Sequence, residues 1–304
     1  MTNRIRRAIF HIMSACYTEG TRREIYVRKS FVHSGSPMLI GVIREETVRG
    51  AIAAIRNCEY HGATALDLHL SCLKEEACTV ESLKKIIDAS RLPIMALSYN
   101  QAYDNTPIDL PEEARLELLL RAVEAGVSAV DMQGYSFDPS SKNAFREEFK
   151  HLGYSFIRDN PKEVVVDEAV IAKQKAFIEK VHAAGAEVVI STHPWVPMDC
   201  EQVTDLMMFL SQRGADMLKI VAPCENDDQL AECFKTMLKI KKIAPIPTHF
   251  HCCGKAGSLS RILNPILGGH MIFCSDGYTV SSNFEQLDLQ TSVRIVNDMK
   301  KLML

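Results

Sequence analysis

The sequence predicts a (β/α)8 barrel of one domain, and three observations point there. Eight short apolar, β-branched runs alternate with longer stretches of helical periodicity. The runs are apolar throughout rather than at every second residue, as strands are when a parallel sheet is covered on both faces. The helical stretches close on glycine and a strand begins at once. Eight such units favour closing the sheet into a barrel over leaving it open and doubly wound. No G-x-G-x-x-G follows the first run, which lowers the dinucleotide-binding alternative.

The first strand is read at 38–43, with a helix at 46–59. "HGATALDL" turns from that helix into a second strand at 64–70, followed by a helix at 79–90. The third strand is read at 93–98 and its helix at 111–124; "EAGVSAVDM" then opens a fourth strand at 127–132. After the helix at 168–183, "AAGAEVVIS" enters the fifth strand at 187–191. After the helix at 201–213, "QRGADMLKI" enters the sixth at 217–221. Helices at 226–240, 258–267 and 284–304 and strands at 245–250 and 270–274 complete the set. Residues 1–36 read as an N-terminal extension and 37–304 as the barrel domain. The connection 133–166 is unusually long and follows a strand C-terminus, the face where barrel active sites sit, so it reads as a lid, or else as a decorative insertion or an oligomer contact.

The 304 residues suit a single α/β barrel, and 47% hydrophobic against 24% charged residues is an ordinary globular balance. A formal net charge of -3 argues against a nucleic-acid partner, and the basic residues near the start read as a solvated tail. There is no apolar run of about 18 residues to span a membrane. The apolar stretch 8–13 is broken by His11 and is too short for a signal peptide, so a cytoplasmic location is expected. The ten cysteines form no C-x-x-C and read as reduced thiols.

The residues to question are the polar ones at strand C-termini. Lys219 lies among Met217, Leu218, Ile220 and Val221, where its head group has no easy route to water. Burial disfavours the ammonium, and a neutral amine is what carbonyl addition needs. The other reading is a structural lysine paired with a buried carboxylate. His193, one strand earlier in "VVISTHPW", is placed to move protons beside an iminium. Arg261 in "GSLSRIL" is either a bidentate anchor for a substrate carboxylate or an ordinary helix-surface arginine. In "THFHCCGK", strand alternation puts His249 and His251 on one face. With Asp67 or His69 they could hold a transition metal, though no spaced metal signature supports it and Lys219 needs none.

These residues resemble the type I 3-dehydroquinate dehydratases, class I (β/α)8 lyases of quinate metabolism and of the shikimate pathway, which serves aromatic amino acid biosynthesis. "VVISTHPW" is similar to the family's strand-five motif with its catalytic histidine, "GADMLKIVAP" to the strand-six motif with its Schiff-base lysine, and "GKAGSLSRIL" to the segment bearing its carboxylate-binding arginine. The resemblance implies Lys219, His193 and Arg261 in those roles. It also implies a small keto-acid substrate and a covalent lysine imine in place of a separate cofactor. Elsewhere the sequence departs from the family. The strand-two Glu-x-Arg-x-Asp corresponds to Asp67, His69 and Ser71, and the strand-three arginine to Tyr99. The glutamate that orients the histidine falls near Tyr103 or Asp104, and the last-loop Ser-x-Pro-Gly-Gln runs from Thr279 to Asn283. Asp67, His69, Tyr99, Thr279 and Asn283 are therefore the candidate substrate-binding residues, and the family chemistry is expected on an altered substrate. A class I aldolase shares the lysine chemistry, and a metal-dependent barrel or a silent binding barrel are the remaining alternatives. Many barrels form homodimers, and nothing in the sequence specifies an interface.

Overall fold

In the computed structural model, which describes residues 29–33, 37–99, 110–138, 164–194, 196–278 and 285–301, eight parallel strands alternate with eight α-helices. The strands are β1 (Met38–Ile43), β2 (Ala65–His69), β3 (Ile94–Leu97), β4 (Ala129–Gln133), β5 (Glu187–Thr192), β6 (Met217–Pro223), β7 (Thr248–Cys253) and β8 (Met271–Cys274). The helices are α1 (Val48–Tyr60), α2 (Val80–Ile87), α3 (Glu112–Ala125), α4 (Glu168–Ala183), α5 (Cys200–Ser211), α6 (Asp227–Ile243), α7 (Ser258–Leu267) and α8 (Leu289–Lys300). Two 3-10 turns, Leu70–Cys72 and Glu75–Ala77, fill the β2–α2 link.

Local chemistry explains the boundaries. Thr47, Thr79, Asp167, Asn226 and Asp288 each cap a helix by accepting a backbone N–H, and Asp199 forms a capping box with Gln202. Gly126 closes α3 at φ 114°, and the junction glycines Gly62, Gly185 and Gly214 also have positive φ. β7 starts three residues later than the 245–250 reading, because Pro245 and Pro247 have no N–H for the ladder. That shift brings His251 and Cys253 into the strand. The last helix starts at Leu289 rather than 284, because Asp288 bridges Ser275 and caps Thr291 instead.

The sheet runs in the order β8-β1-β2-β3-β4-β5-β6-β7, every pair parallel. No ladder joins β7 to β8 among the described residues; there the His249 ring meets the Phe273 ring edge-on at 5.9 Å. One apolar layer lies between the strands and the helices, and a second fills the base of the barrel. Phe31 and Val32, ahead of the first strand, belong to this inner layer. The Glu187 carboxylate holds them by accepting from the Phe31 and Val32 N–H at 2.7 and 3.0 Å.

The inward face changes character along the strands. Ala65 gives way to Asp67 and His69, Ala129 to Asp131 and Gln133, Val189 to Ser191, and Met217 to Lys219. Residues that read as continuously apolar strands thus build an apolar floor with a polar layer above it, toward the strand C-termini.

Candidate active site

Register sets the polar layer. Ser191 on β5 pairs with Lys219 on β6, and Lys219 with His249 on β7. Lys219 is 7% exposed, and its Nζ donates to the Tyr99 hydroxyl at 2.9 Å. The same Nζ lies 3.6 Å from Asp131 Oδ2, and the Tyr99 and Phe273 rings flank it at 5.4 and 4.9 Å.

Asp131 is fully buried and gathers the donors. Tyr99 Oη donates to its Oδ2 at 2.9 Å and Ser191 Oγ to its Oδ1 at 2.5 Å. Burial pushes the Asp131 carboxyl above its usual range, opposed by the charge of Lys219 and the bond from Ser191. Burial likewise pushes the Tyr99 phenol well up, with the Asp131 charge adding, so Tyr99 stays protonated and donates. Tyr99 is therefore a bridge, accepting from the lysine and donating to the carboxylate. Lys219 is thus buried, as the imine reading requires, and has the buried carboxylate partner that the structural reading of this lysine names.

His193 follows β5 directly, and its ring stands edge-on to Tyr99 at 5.7 Å. The two residues read as the catalytic pair thus converge on one tyrosine. His69 approaches the same ring at 6.4 Å, and its Nε2 lies 3.3 Å from Asp67 Oδ2. Asp67 Oδ1 is buried with no hydrogen-bond partner among the described residues.

Arg261, on α7, is neither open nor on the helix surface. Its Nη2 pairs with Glu285 Oε2 at 2.8 Å, and Glu285 Oε1 accepts from the Gly254 N–H at 2.9 Å. Glu285 was not anticipated, and its position ahead of the last helix offered no local signal. Thr279, Asn283, Tyr103 and Asp104 lie outside the described residues.

His249 and His251 both face inward and are buried. Their facing nitrogens, Nε2 of His249 and Nδ1 of His251, are 2.8 Å apart, and Asn264 Nδ2 lies 2.7 Å from His249 Nδ1. These nitrogens are engaged in hydrogen bonds. Among the described residues no group of three or more His, Cys, Asp or Glu side chains is arranged to hold a metal ion. Burial holds both rings well below the usual imidazole range, with cationic neighbours adding.

Most of the 133–166 connection lies outside the described residues, but both its ends are anchored. Gly134 N–H donates to Ser191 O at 2.7 Å and Val165 N–H to Gly134 O at 2.9 Å. Buried Arg213 donates to the carbonyls of Gly134 and Val165 and to Gln174. Asp131 was among the polar strand-end residues to question but was given no role, and Ser191 and Arg213, like Glu285, were not singled out in the sequence. For Asp131 and Ser191 the signal was alternation: they occupy inward positions two residues before Gln133 and His193.

A family model described as type I 3-dehydroquinase matches residues 139–302. A 3-dehydroquinate dehydratase of Klebsiella pneumoniae is 31% identical over 212 residues, 69% of this chain and 71% of that protein. Among solved structures, the 3-dehydroquinate dehydratase of Geobacillus kaustophilus matches with a TM-score of 0.69 at 12% identity, over 87% of this chain and 91% of the other. The type I enzyme of Clostridium difficile matches with a TM-score of 0.66 at 14% identity, over 92% and 98%. At such identities the structural likeness speaks for the barrel fold.

Proposed function

The chain belongs to the type I 3-dehydroquinase family, and from that premise we propose that Lys219 is the imine-forming residue and His193 the proton carrier of a hydro-lyase acting on 3-dehydroquinate. The observation behind the residue assignment is the buried Lys219 Nζ, held at 2.9 Å by a Tyr99 hydroxyl whose ring His193 also meets.

The reaction needs Lys219 as the free amine. The ammonium proton leaves through Tyr99, which accepts from Nζ while giving its own proton to Asp131. The amine adds to the ketone carbon, and the carbinolamine loses water to give a protonated imine. The carbon beside the imine becomes acidic, and His193 removes its proton. The resulting enamine expels the hydroxyl one carbon further on, which leaves as water with the proton from His193. Hydrolysis of the conjugated imine releases the enone and restores Lys219. Arg261 holds the substrate carboxylate, while Asp67, His69 and Tyr99 take the place of the family's ring-hydroxyl contacts. Thr279 and Asn283 belong to the same assignment.

In this reading the lysine imine is the electron sink and no separate cofactor takes part. The small-molecule partner is the keto acid, and the enzyme works in the cytoplasm. No helix among the described residues is long and apolar enough to cross a membrane. The experiment is borohydride trapping with 3-dehydroquinate followed by peptide mass. A reduced adduct on Lys219, absent in Lys219→Ala and accumulating without turnover in His193→Ala, is the expected result. Normal turnover in His193→Ala would remove the histidine from its role. Two carbonyl fragments in place of an enone would instead identify an aldolase.

A further inference from the structure

Two buried nitrogens in this part of the barrel have no hydrogen-bond partner among the described residues: His251 Nε2 and Arg261 Nε. Arg261 Nε always carries a proton, since a guanidinium stays charged in proteins. The state of His251 is set by a chain of three side chains. Asn264 Nδ2 lies 2.7 Å from His249 Nδ1 and 3.4 Å from its Nε2; the amide donating along the shorter contact makes Nδ1 the acceptor and puts the proton of neutral His249 on Nε2. That Nε2 donates to His251 Nδ1 at 2.8 Å, which leaves the proton of His251 on its own Nε2. Both rings stay neutral because they are buried beside Arg261 and Lys219, where a second proton is disfavoured.

His251 therefore presents an N–H donor on the ring edge turned away from His249. After burial itself, the charge of Arg261 is the largest influence holding the His251 ring neutral, followed by His249, Lys219 and His193. Glu285 engages Arg261 through Nη2 and leaves the Nε edge without a partner. Two desolvated donors, one charged and one neutral, thus lie in this part of the barrel with nothing among the described residues to accept from them. A carboxylate satisfies such a pair, because it has two acceptor oxygens and no proton to set against them.

We propose that His251 is a positioning and specificity residue whose Nε2–H holds the substrate carboxylate together with Arg261 Nε, its tautomer locked by the Asn264–His249 relay. The proposal rests on the keto-acid reading of the Lys219 site. It assigns the inward histidines of β7 to substrate recognition. It also explains why a polar relay runs along the seam between β7 and β8, where an apolar pair would pack without hydrogen-bond demands.

The test compares the full-length wild type with His251→Met and His251→Gln. KM and kcat are measured with 3-dehydroquinate, and borohydride trapping on Lys219 with 3-hydroxycyclohexanone, a β-hydroxyketone that has no carboxylate. Losing a donor to a charged acceptor raises KM about 10- to 100-fold in His251→Met, with kcat within about threefold. His251→Gln, which keeps an N–H at similar reach, recovers most of that loss. Trapping of the carboxylate-free ketone is equal in all three proteins, and nitrogen NMR of the wild type shows His251 protonated at Nε2 alone. An unchanged KM in His251→Met, or equal loss of both ligands, or a proton on Nδ1, overturns the proposal while a wild-type adduct on Lys219 leaves the imine reading standing. If the wild type forms no adduct with either ketone, the imine reading falls and this proposal with it.

Discussion

Replacing Asp131 with asparagine keeps the shape of the side chain and removes the charge around which the polar layer is organised. Asp131 accepts hydrogen bonds from Tyr99 at 2.9 Å and from Ser191 at 2.5 Å, and faces Lys219 Nζ at 3.6 Å. At that separation and an effective dielectric of about 20, the attraction between the charges is about 4.6 kcal/mol. Removing one partner of a buried pair typically destabilises by about 3–5 kcal/mol, which agrees. The amide makes matters worse locally. Its Nδ2 is a donor and must face either Tyr99 or Ser191, whose hydroxyl protons both point at the native carboxylate. Asp131→Asn is therefore expected to lose about 3–5 kcal/mol at neutral pH, a large share of the roughly 5–15 kcal/mol typical of a domain. The assay is equilibrium urea unfolding, read as a lower midpoint with unchanged slope. Because the carboxylate is also assigned as the acceptor of the lysine proton through Tyr99, imine trapping at neutral pH should slow about 100-fold. A loss under about 1 kcal/mol with an unaltered trapping rate would refute both the ion-pair argument and the proton route.

Three other outcomes follow from the geometry. The buried His249 and His251 have folded-state pKa values depressed by burial, so their contribution is present above the unfolded value of about 6.5 and lost as pH falls below it; acid unfolding should steepen there by about 1.4 kcal/mol per pH unit for each ring. Chemical denaturation from pH 8 to 5 checks this, and an identical slope in a His249→Gln, His251→Gln double variant would show that other groups are responsible. A Cβ at Gly269 would lie 1.4 Å from Asn264 Oδ1, so Gly269→Ala should displace Asn264, cost about 1–3 kcal/mol and unlock the histidine tautomers, a change visible in the imidazole nitrogen shifts. Arg213→Met should lower stability by about 2–4 kcal/mol, because the Gly134 and Val165 carbonyls and Gln174 all lose a charged donor; a thermal midpoint equal to the wild type would contradict that.

The barrel was legible in the sequence because its signals are local. An apolar run, a glycine in the left-handed region and a capping residue each act over a few residues, and repeating them eight times leaves few topologies. Lys219 was legible for the same reason, as a charge inside an apolar strand, and His193 and Arg261 through motifs beside strand ends. Thr47, Asp167 and Asp199 cap the helices that follow them by contacts three residues along the chain, well within reach of a sequence pattern. The boundaries that shifted, at β7 and α8, moved where prolines and a capping aspartate acted against the periodicity.

Partner choice belonged to the tertiary structure. Tyr99 meets Lys219 across 120 residues of chain, and Ser191 meets Asp131 across 60, through a strand register that periodicity does not encode. The pairing of Arg261 with Glu285, the relay from Asn264 to His251, and the gathering of the strands' polar residues into one layer arise in the same way. A residue's secondary structure depends on its neighbours in sequence, whereas its hydrogen-bond partner in a barrel depends on how eight strands stagger when they close. Composition and spacing therefore pointed to the lysine and to the fold around it, while the closed sheet alone determined which acid, which phenol and which histidine stand beside it.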